Sequence, residues 1–277
     1  MFALPDHHVI TLRGRDATAF AQAQFMSDIA ALADGHWHWS GWLTPKGRVI
    51  ALFALLKADA ETVHVVLQDA DPADFAERLQ RFVFRSKVAI EGGALEVGGA
   101  FEAHPAADGA RATIAPDGFA LDLGSDGGPR TLWAGPGLEA RDDRDARDRW
   151  AAFDLAHGLP RLVPAQSEQW TPQQLSLERL RAYSVKKGCY PGQEIVARTH
   201  FLGQAKRGLV LFESDAPLEA GQEVADRDRT LGMIVSAATG DGRHLALAVM
   251  PIDPPGGEVS AGGSPLRAEG ISGGLSR

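Results

Sequence analysis

One stretch, GHWHWSGWLTPKGRVIALFALL (residues 35–56), constrains the fold of this chain more than any other. His36-Trp37-His38-Trp39 alternates with the strand period of two, so His36 and His38 share one face and Trp37 and Trp39 the other. Thr44-Pro45-Lys46-Gly47 fits a type I turn, with Pro second and Gly fourth. RVIALFALL is then a second, buried strand, and TVHVVL (62–67) a third.

The remaining segments alternate between helix and strand patterns. VITLRG (9–14) reads as a short strand and turn, and KVAI (87–90) as another strand. Asp16 N-caps a helix over ATAFAQAQFMSDIAAL, with Phe20, Met26 and Ile29 facing inward. Asp71-Pro72 starts a helix in which Phe75, Leu79, Phe82 and Val83 follow at helical spacing. Residues 91–137 hold short apolar pieces broken by Gly, Pro and Asp, which fits strands and loops. ARDDRDARDR is a solvated helix face, and Gly158 and Pro160 stop the helix that it opens. Thr171-Pro172-Gln173-Gln174 has the pattern of a capping box.

After Gly203 the character changes. KRGLVLF, LGMIVSAA and HLALAVM are short strands separated by Gly- and Asp-rich turns, the pattern of a small all-β unit. PPGGEVSAGGSPLRAEGISGGLSR reads as a loose tail or edge strands. The expected organisation is an α+β region over 1–203 and a β-barrel or sandwich over 204–277.

Hydrophobic residues are 44% and charged residues 23%, the balance of a folded chain, and the net charge is -8. Non-specific nucleic-acid binding rests on basic surface, so direct nucleic-acid contact is not expected. No window reaches the apolar length of a membrane helix. MFALPDHHVI lacks the charged leader and apolar run of a secretory signal. The single cysteine cannot form an intramolecular disulfide, which fits a reducing cytoplasm.

That cysteine lies in KKGCYPGQE. Tyr190-Pro191-Gly192-Gln193 fits a type II turn, and GQEIVARTHFLG a short helix ending at Gly203, with Glu194 and Arg198 at i, i+4. Cys189 then sits just before a helix N-terminus, beside Lys186 and Lys187, and both features stabilise a thiolate. These are the surroundings of a reactive or metal-binding cysteine, whereas most lone cysteines are small buried fillers.

KGCYPGQE resembles the K-G-C-Y-x-G-Q-E signature of the YgfZ-type folate-binding family, relatives of the glycine-cleavage T-protein. The likeness runs on through IVARTHFLGQAKRGLVLF, and weaker matches in AQAQFMSDIAAL, GWLTPKGRV, LQRFVFRSKVAI and WAAFDLAHGLPRL extend it over most of residues 10–212. The resemblance implies an α+β fold of two intertwined units around a central folate-binding hole, followed by a small C-terminal β-barrel. It implies tetrahydrofolate or a derivative as ligand, and roles for named residues toward it. Glu194 would accept from the pterin N–H and amino group, and Gln193 would meet the neighbouring ring edge. Tyr190 or Trp42 would stack on a ring. Lys187, Arg198, Lys46 or Arg207 would hold the anionic glutamate tail.

The family further implies a factor that supports assembly or repair of iron–sulfur enzymes, including tRNA-modifying ones, with Cys189 as the functional thiol. Iron–sulfur assembly proteins or client enzymes would be its partners. The alternative is a folate-dependent one-carbon transferase, an aminomethyltransferase or demethylase. T-proteins carry an aspartate at the position of Cys189 and an N-terminal acidic residue; GWLTPKGRVIALFAL holds no acid before Asp59, which argues against methylene transfer. Gln174-Leu175 stands where the family often has Asn-Leu. A third reading is a fold relic that binds a partner and no folate.

Other chemistries find no support. His36 and His38 have no Cys or acid at metal-ligand spacing. There is no dinucleotide or P-loop glycine pattern, and no G-x-S-x-G elbow.

Overall fold

The early strands form as the alternation dictates. In the computed structural model, which describes residues 1–277 except Gln204, Asp228 and 254–256, the chain order begins β1 (Phe2–Ala3), β2 (His7–Arg13), α1 (Ala17–Gln24), β3 (His36–Leu43), β4 (Val49–Asp59) and β5 (Thr62–Gln68). It continues through α2 (Pro72–Gln80), β6 (Ala89–Gly92), β7 (Glu96–Ala100), β8 (Thr113–Ala115), β9 (Gly118–Asp122), β10 (Thr131–Gly135) and α3 (Arg144–Ala156). After two short 3-10 turns come α4 (Gln193–Leu202), β11 (Arg207–Ser214), β12 (Glu223–Asp226), β13 (Arg229–Gly240), β14 (Arg243–Pro251), β15 (Val259–Ala261) and β16 (Ser264–Glu269).

Two antiparallel sheets and a barrel result. The first sheet has the order β3-β4-β5-β2-β6, the second β1-β7-β10-β9-β8, and the closed barrel β11-β14-β13-β12-β15-β16. This is a mixed α+β fold, as the sequence pattern and the resemblance led us to expect. The two sheets share chain: β1 enters the second sheet beside β7, and β2 then returns to the first. Residues 167–170 likewise reach back to the first sheet, where Val49 N–H donates to Trp170 O at 2.8 Å and Glu168 N–H to Val49 O at 2.7 Å. Trp37 and Trp39 are fully buried on their face of β3, with His36 and His38 on the other.

Three helical expectations change. The first helix stops at Gln24, because Phe25 turns extended and bridges to Trp42, and Met26 N–H donates to Gly41 O at 3.0 Å. Phe25, Met26 and Ile29 still bury, but as the flank of a sheet. The capping box forms its bonds, with Thr171 N–H donating to Gln174 Oε1 at 3.0 Å and Gln174 N–H to Thr171 Oγ1 at 3.3 Å. No α-helix follows, since Ser176 and Arg181 take left-handed backbone at φ 48 and 54 and leave only a 3-10 turn between them. Phe82 and Val83 fall just beyond α2, and Phe82 is half exposed.

The C-terminal stretch supplies two barrel strands and then a strap. Leu275 is buried, its carbonyl accepts from Trp39 Nε1 at 2.8 Å, and Arg277 donates to the carbonyls of Asp122 at 2.8 Å and Gly124 at 2.7 Å.

The three bodies meet at a buried ionic chain. Arg130, after β9, is fully buried between the rings of Trp150 and Phe153, with its guanidinium carbon 4.2 and 3.9 Å from the two centroids. It donates to Asp154 Oδ1 of α3 at 2.8 Å. Arg161 forks onto Asp69 at 2.5 and 2.7 Å and reaches Asp154 Oδ2 at 3.5 Å. Its backbone exchanges two 2.9 Å hydrogen bonds with the Ser236 hydroxyl of the barrel. Several polar atoms beside this chain have no partner among the described residues: both ring nitrogens of His7, Gln68 Oε1, Arg130 Nη2 and Trp150 Nε1. His7 and Gln68 are themselves register partners across β2 and β5.

No helix among the described residues is long and apolar enough to cross a membrane.

Burial, and then the charges of Arg161 and Arg130, hold His7 well below the ordinary imidazole range. Burial also pulls His38 and His64 down to about 4. These histidines stay neutral when folded and take up protons near pH 6.5 when unfolded. Their contribution is therefore present above pH 6.5 and is lost as pH falls from 6.5 toward 4. Urea unfolding from pH 7 to 5 should show stability falling by up to about 1.4 kcal/mol per pH unit for each such histidine. His7→Leu should make the fall shallower by one such share.

Candidate functional site

The signature segment is built by two turns pressed together. In the first, Gln193 N–H donates to Tyr190 O at 3.1 Å and Gly192 has φ 77, the geometry of a type II turn at the start of α4. In the second, Gly47 N–H donates to Thr44 O at 2.9 Å. A Cβ on Gly192 would lie 2.6 Å from Thr44 O and 2.7 Å from Gly47 Cα, and one on Gly47 2.9 Å from Ile195 Cβ. Glycine is required at both places by close approach and by positive φ. This contact brings Lys46 beside the signature.

Lys187 bolts the loop to the first sheet. Its buried ammonium donates to the carbonyls of Gln22, Phe25 and Ser27 at 2.5, 2.6 and 2.8 Å. These lie at and just past the end of α1, where carbonyls lose their helical partners. An ammonium has three donors, and here all three are taken. Burial pulls it down to about 8, opposed by the Asp28 carboxylate. The Tyr190 ring lies 5.0 Å from Lys187 Nζ, and the Tyr190 hydroxyl donates to Ser184 O at 3.0 Å. Burial, then the neighbouring Tyr183, holds that phenol above its ordinary range. Ser184 N–H in turn donates to Met26 O at 2.8 Å, and Gln193 Nε2 to Lys187 O at 2.9 Å. A buried polar relay lies underneath: Ser27 Oγ is 2.8 Å from His38 Nε2 and donates to Ser40 Oγ at 2.6 Å. Burial, then repulsion from Lys187, keeps His38 neutral.

The sequence-derived candidates therefore separate into two groups. Cys189, Glu194, Arg198 and Lys46 are exposed, and no ion pair among the described residues includes Lys46, Glu194 or Arg198. Lys187, Tyr190 and Gln193 are engaged in holding the loop. Trp42 is 2% exposed, edge-on to Phe75 and Phe82 at 5.4 and 5.8 Å, and offers no open ring face. Arg207 donates to Leu231 O at 2.8 Å and lines a separate cavity of about 240 Å³ with Gln173 and Glu178.

No protein-family model matches the chain. It is 28% identical over 258 residues to an uncharacterized protein of Haemophilus influenzae, a match covering 91% of this chain and 89% of that protein. Two proteins named tRNA-modifying protein YgfZ, from Klebsiella pneumoniae and Enterobacter sp., are 27% and 28% identical, with 91% of this chain and 85% and 86% of theirs covered. Over about nine-tenths of its length the chain is thus similar to proteins named YgfZ. In shape it also matches the glycine cleavage system aminomethyltransferase T of Bartonella henselae, with a TM-score of 0.74 over 99% of this chain and 84% of that one. At 16% identity that likeness shows the fold.

Two features of this chain lie outside what its sequence announces. One is the polar set beneath Lys187. The other is the junction of His7, Gln68, Arg130 and Trp150, whose unpaired atoms come from four separate elements. No local motif marks either.

Lys187→Met would strand three buried carbonyls. It should cost at least about 3 kcal/mol in urea unfolding, since charge-assisted bonds and unmet buried acceptors are each worth 1 kcal/mol or more. Gly192→Ala should cost more than about 1 kcal/mol, because it adds a backbone clash to left-handed strain.

Proposed function

We propose that this protein binds tetrahydrofolate or a derivative and supports assembly or repair of iron–sulfur enzymes, including tRNA-modifying ones, with Cys189 as its working thiol. One observation carries the reading. Cys189 is exposed, on a loop fixed before it by Lys187 and after it by Tyr190 and Gln193. A filler cysteine would be buried; an exposed thiol on a held loop meets a second molecule. One thiolate cannot hold a cluster that takes four ligands, so a partner, an assembly protein or a client enzyme, supplies the others. The same thiol is also placed to resolve a mixed disulfide or accept a one-carbon unit.

The groups present fit a folate. A pterin carries donors and acceptors around a flat ring. The unpaired atoms of His7, Gln68, Arg130 and Trp150 match such an edge, and so do the free carboxylate of Glu194 and the carbonyl oxygen of Gln193. Lys46 and Arg198 suit the anionic glutamate tail. Lys187, Tyr190, Trp42 and Arg207 support the architecture in this reading and do not contact ligand. Bound folate supplies a carrier for a one-carbon unit. The reading assigns folate binding to residues 1–203 and leaves 204–277 as a separate barrel.

Calorimetric titration with tetrahydrofolate tests it. The expected result is micromolar binding that weakens at least about tenfold in Glu194→Ala and persists in Cys189→Ala. In cells, Cys189→Ala should lower the activity of [4Fe–4S] enzymes while the purified variant keeps its melting temperature. No binding by the wild type overturns the folate part, and full enzyme activity in Cys189→Ala overturns the thiol part.

A further inference from the structure

A second concave site lies away from the signature. A cleft of about 390 Å³ opens where β2, β5 and β6 of the first sheet face the β8–β9 hairpin of the second. That volume is within the range of small-molecule sites. Its floor is the seam between the sheets, where the His64 and Phe119 rings lie 4.9 Å apart and tilted by 30°. Thr11 Oγ1 and His64 Nδ1 are 2.9 Å apart, which fixes the imidazole. His64 Nε2 takes no hydrogen bond among the described residues, so the floor keeps one polar atom free.

The walls are apolar and partly bare. Val9, Leu95, Ile114, Pro116 and Pro136 line the cleft. Ile114 is 46% exposed at the edge of its sheet. The fold leaves about half of this isoleucine uncovered, and a ligand ring in the cleft would cover it.

The mouth has a sign. Asp59, Glu91 and Asp117 line it against the single cation Arg13, which pairs with Glu91 at 3.5 Å. Asp59 Oδ1 also accepts from Glu61 N–H at 2.8 Å, which holds it in place. Two carboxylates remain in excess. They bear on His64 as well, through Asp59, while Arg13 opposes them.

We propose that this cleft binds a small aromatic amine, with the ring over the His64–Phe119 floor against Ile114 and the ammonium at the Asp59–Asp117 mouth. Shape and apolar walls select a single ring, and the uncompensated carboxylates reject anions and favour a cation. The site is independent of the folate reading: it shares no residue with the signature or with the four-residue junction.

The probe is phenethylamine, with 2-phenylethanol and 3-phenylpropionate as its neutral and anionic counterparts, titrated into the full chain by calorimetry. Phenethylamine should bind at millimolar concentration or tighter, the alcohol about tenfold more weakly, and the carboxylate not at all. Ile114→Lys puts a cation on an exposed wall position and should abolish amine binding without moving the melting temperature. The same variant should titrate with tetrahydrofolate as the wild type does, so failure of either site is read separately. No heat up to about 10 mM phenethylamine, equal binding of amine and alcohol, or undiminished binding in Ile114→Lys overturns the proposal.

Discussion

The arrangement of the molecule leans on four charges drawn largely out of water. Arg130 and Asp154 are wholly buried, and Arg161 and Asp69 nearly so. Such charges are tolerated only in pairs and with most of their hydrogen bonds met, and in this chain Arg130 Nη2 is the atom left over among the described residues. Asp154 is shared by both arginines, so the chain Arg130–Asp154–Arg161–Asp69 is one object. Its members come from the connection between β9 and β10, α3, the segment after α3 and the residue that follows β5. Through Ser236 the barrel joins the same point. Apolar packing would hold these bodies together in many orientations. Directed, charge-assisted bonds admit far fewer, and that gives the two sheets and the barrel one arrangement.

The signature loop repeats the device on a smaller scale. Lys187 replaces the missing helical partners at the end of α1, and the turns at Gly47 and Gly192 touch through bare backbone. A position that reads as a thiolate-stabilising cation in the sequence is therefore an internal tie. The exposed groups left over, Cys189, Glu194, Arg198 and Lys46, sit on a frame that does not need them. Their side chains are free for a ligand or a partner, which is what a working surface on a rigid support requires.

How much of this was legible in the sequence follows from the range of each interaction. The HWHW alternation, the Thr44–Gly47 turn, the Asp71 cap and the Tyr190–Gln193 turn are local, and each appears as read. The Gly- and Asp-punctuated strands after Gly203 gave the barrel, though not its closure. The helical pattern runs past the real end of α1 because nothing local reveals that Phe25 and Met26 pair with Trp42 and Gly41. The capping box at Thr171 was recognised, but left-handed Ser176 and Arg181 deny it a helix. The partners of Lys187 lie 160 to 165 residues away, and Asp69 lies 92 from Arg161. Residue type shows that such groups need partners; only the fold says which.

The strap at Ile271 to Arg277 has a consequence for how the chain comes into being. Trp39 sits in the third strand, yet its indole N–H is met by Leu275, 236 residues later. During synthesis the first sheet emerges long before that carbonyl exists. The nascent sheet therefore carries an unmet buried donor and the uncovered edge of an indole until nearly the whole described sequence has left the ribosome. Contacts of such span close last and slowly. Until the strap closes, the half-made protein is thus the form most exposed to mispairing.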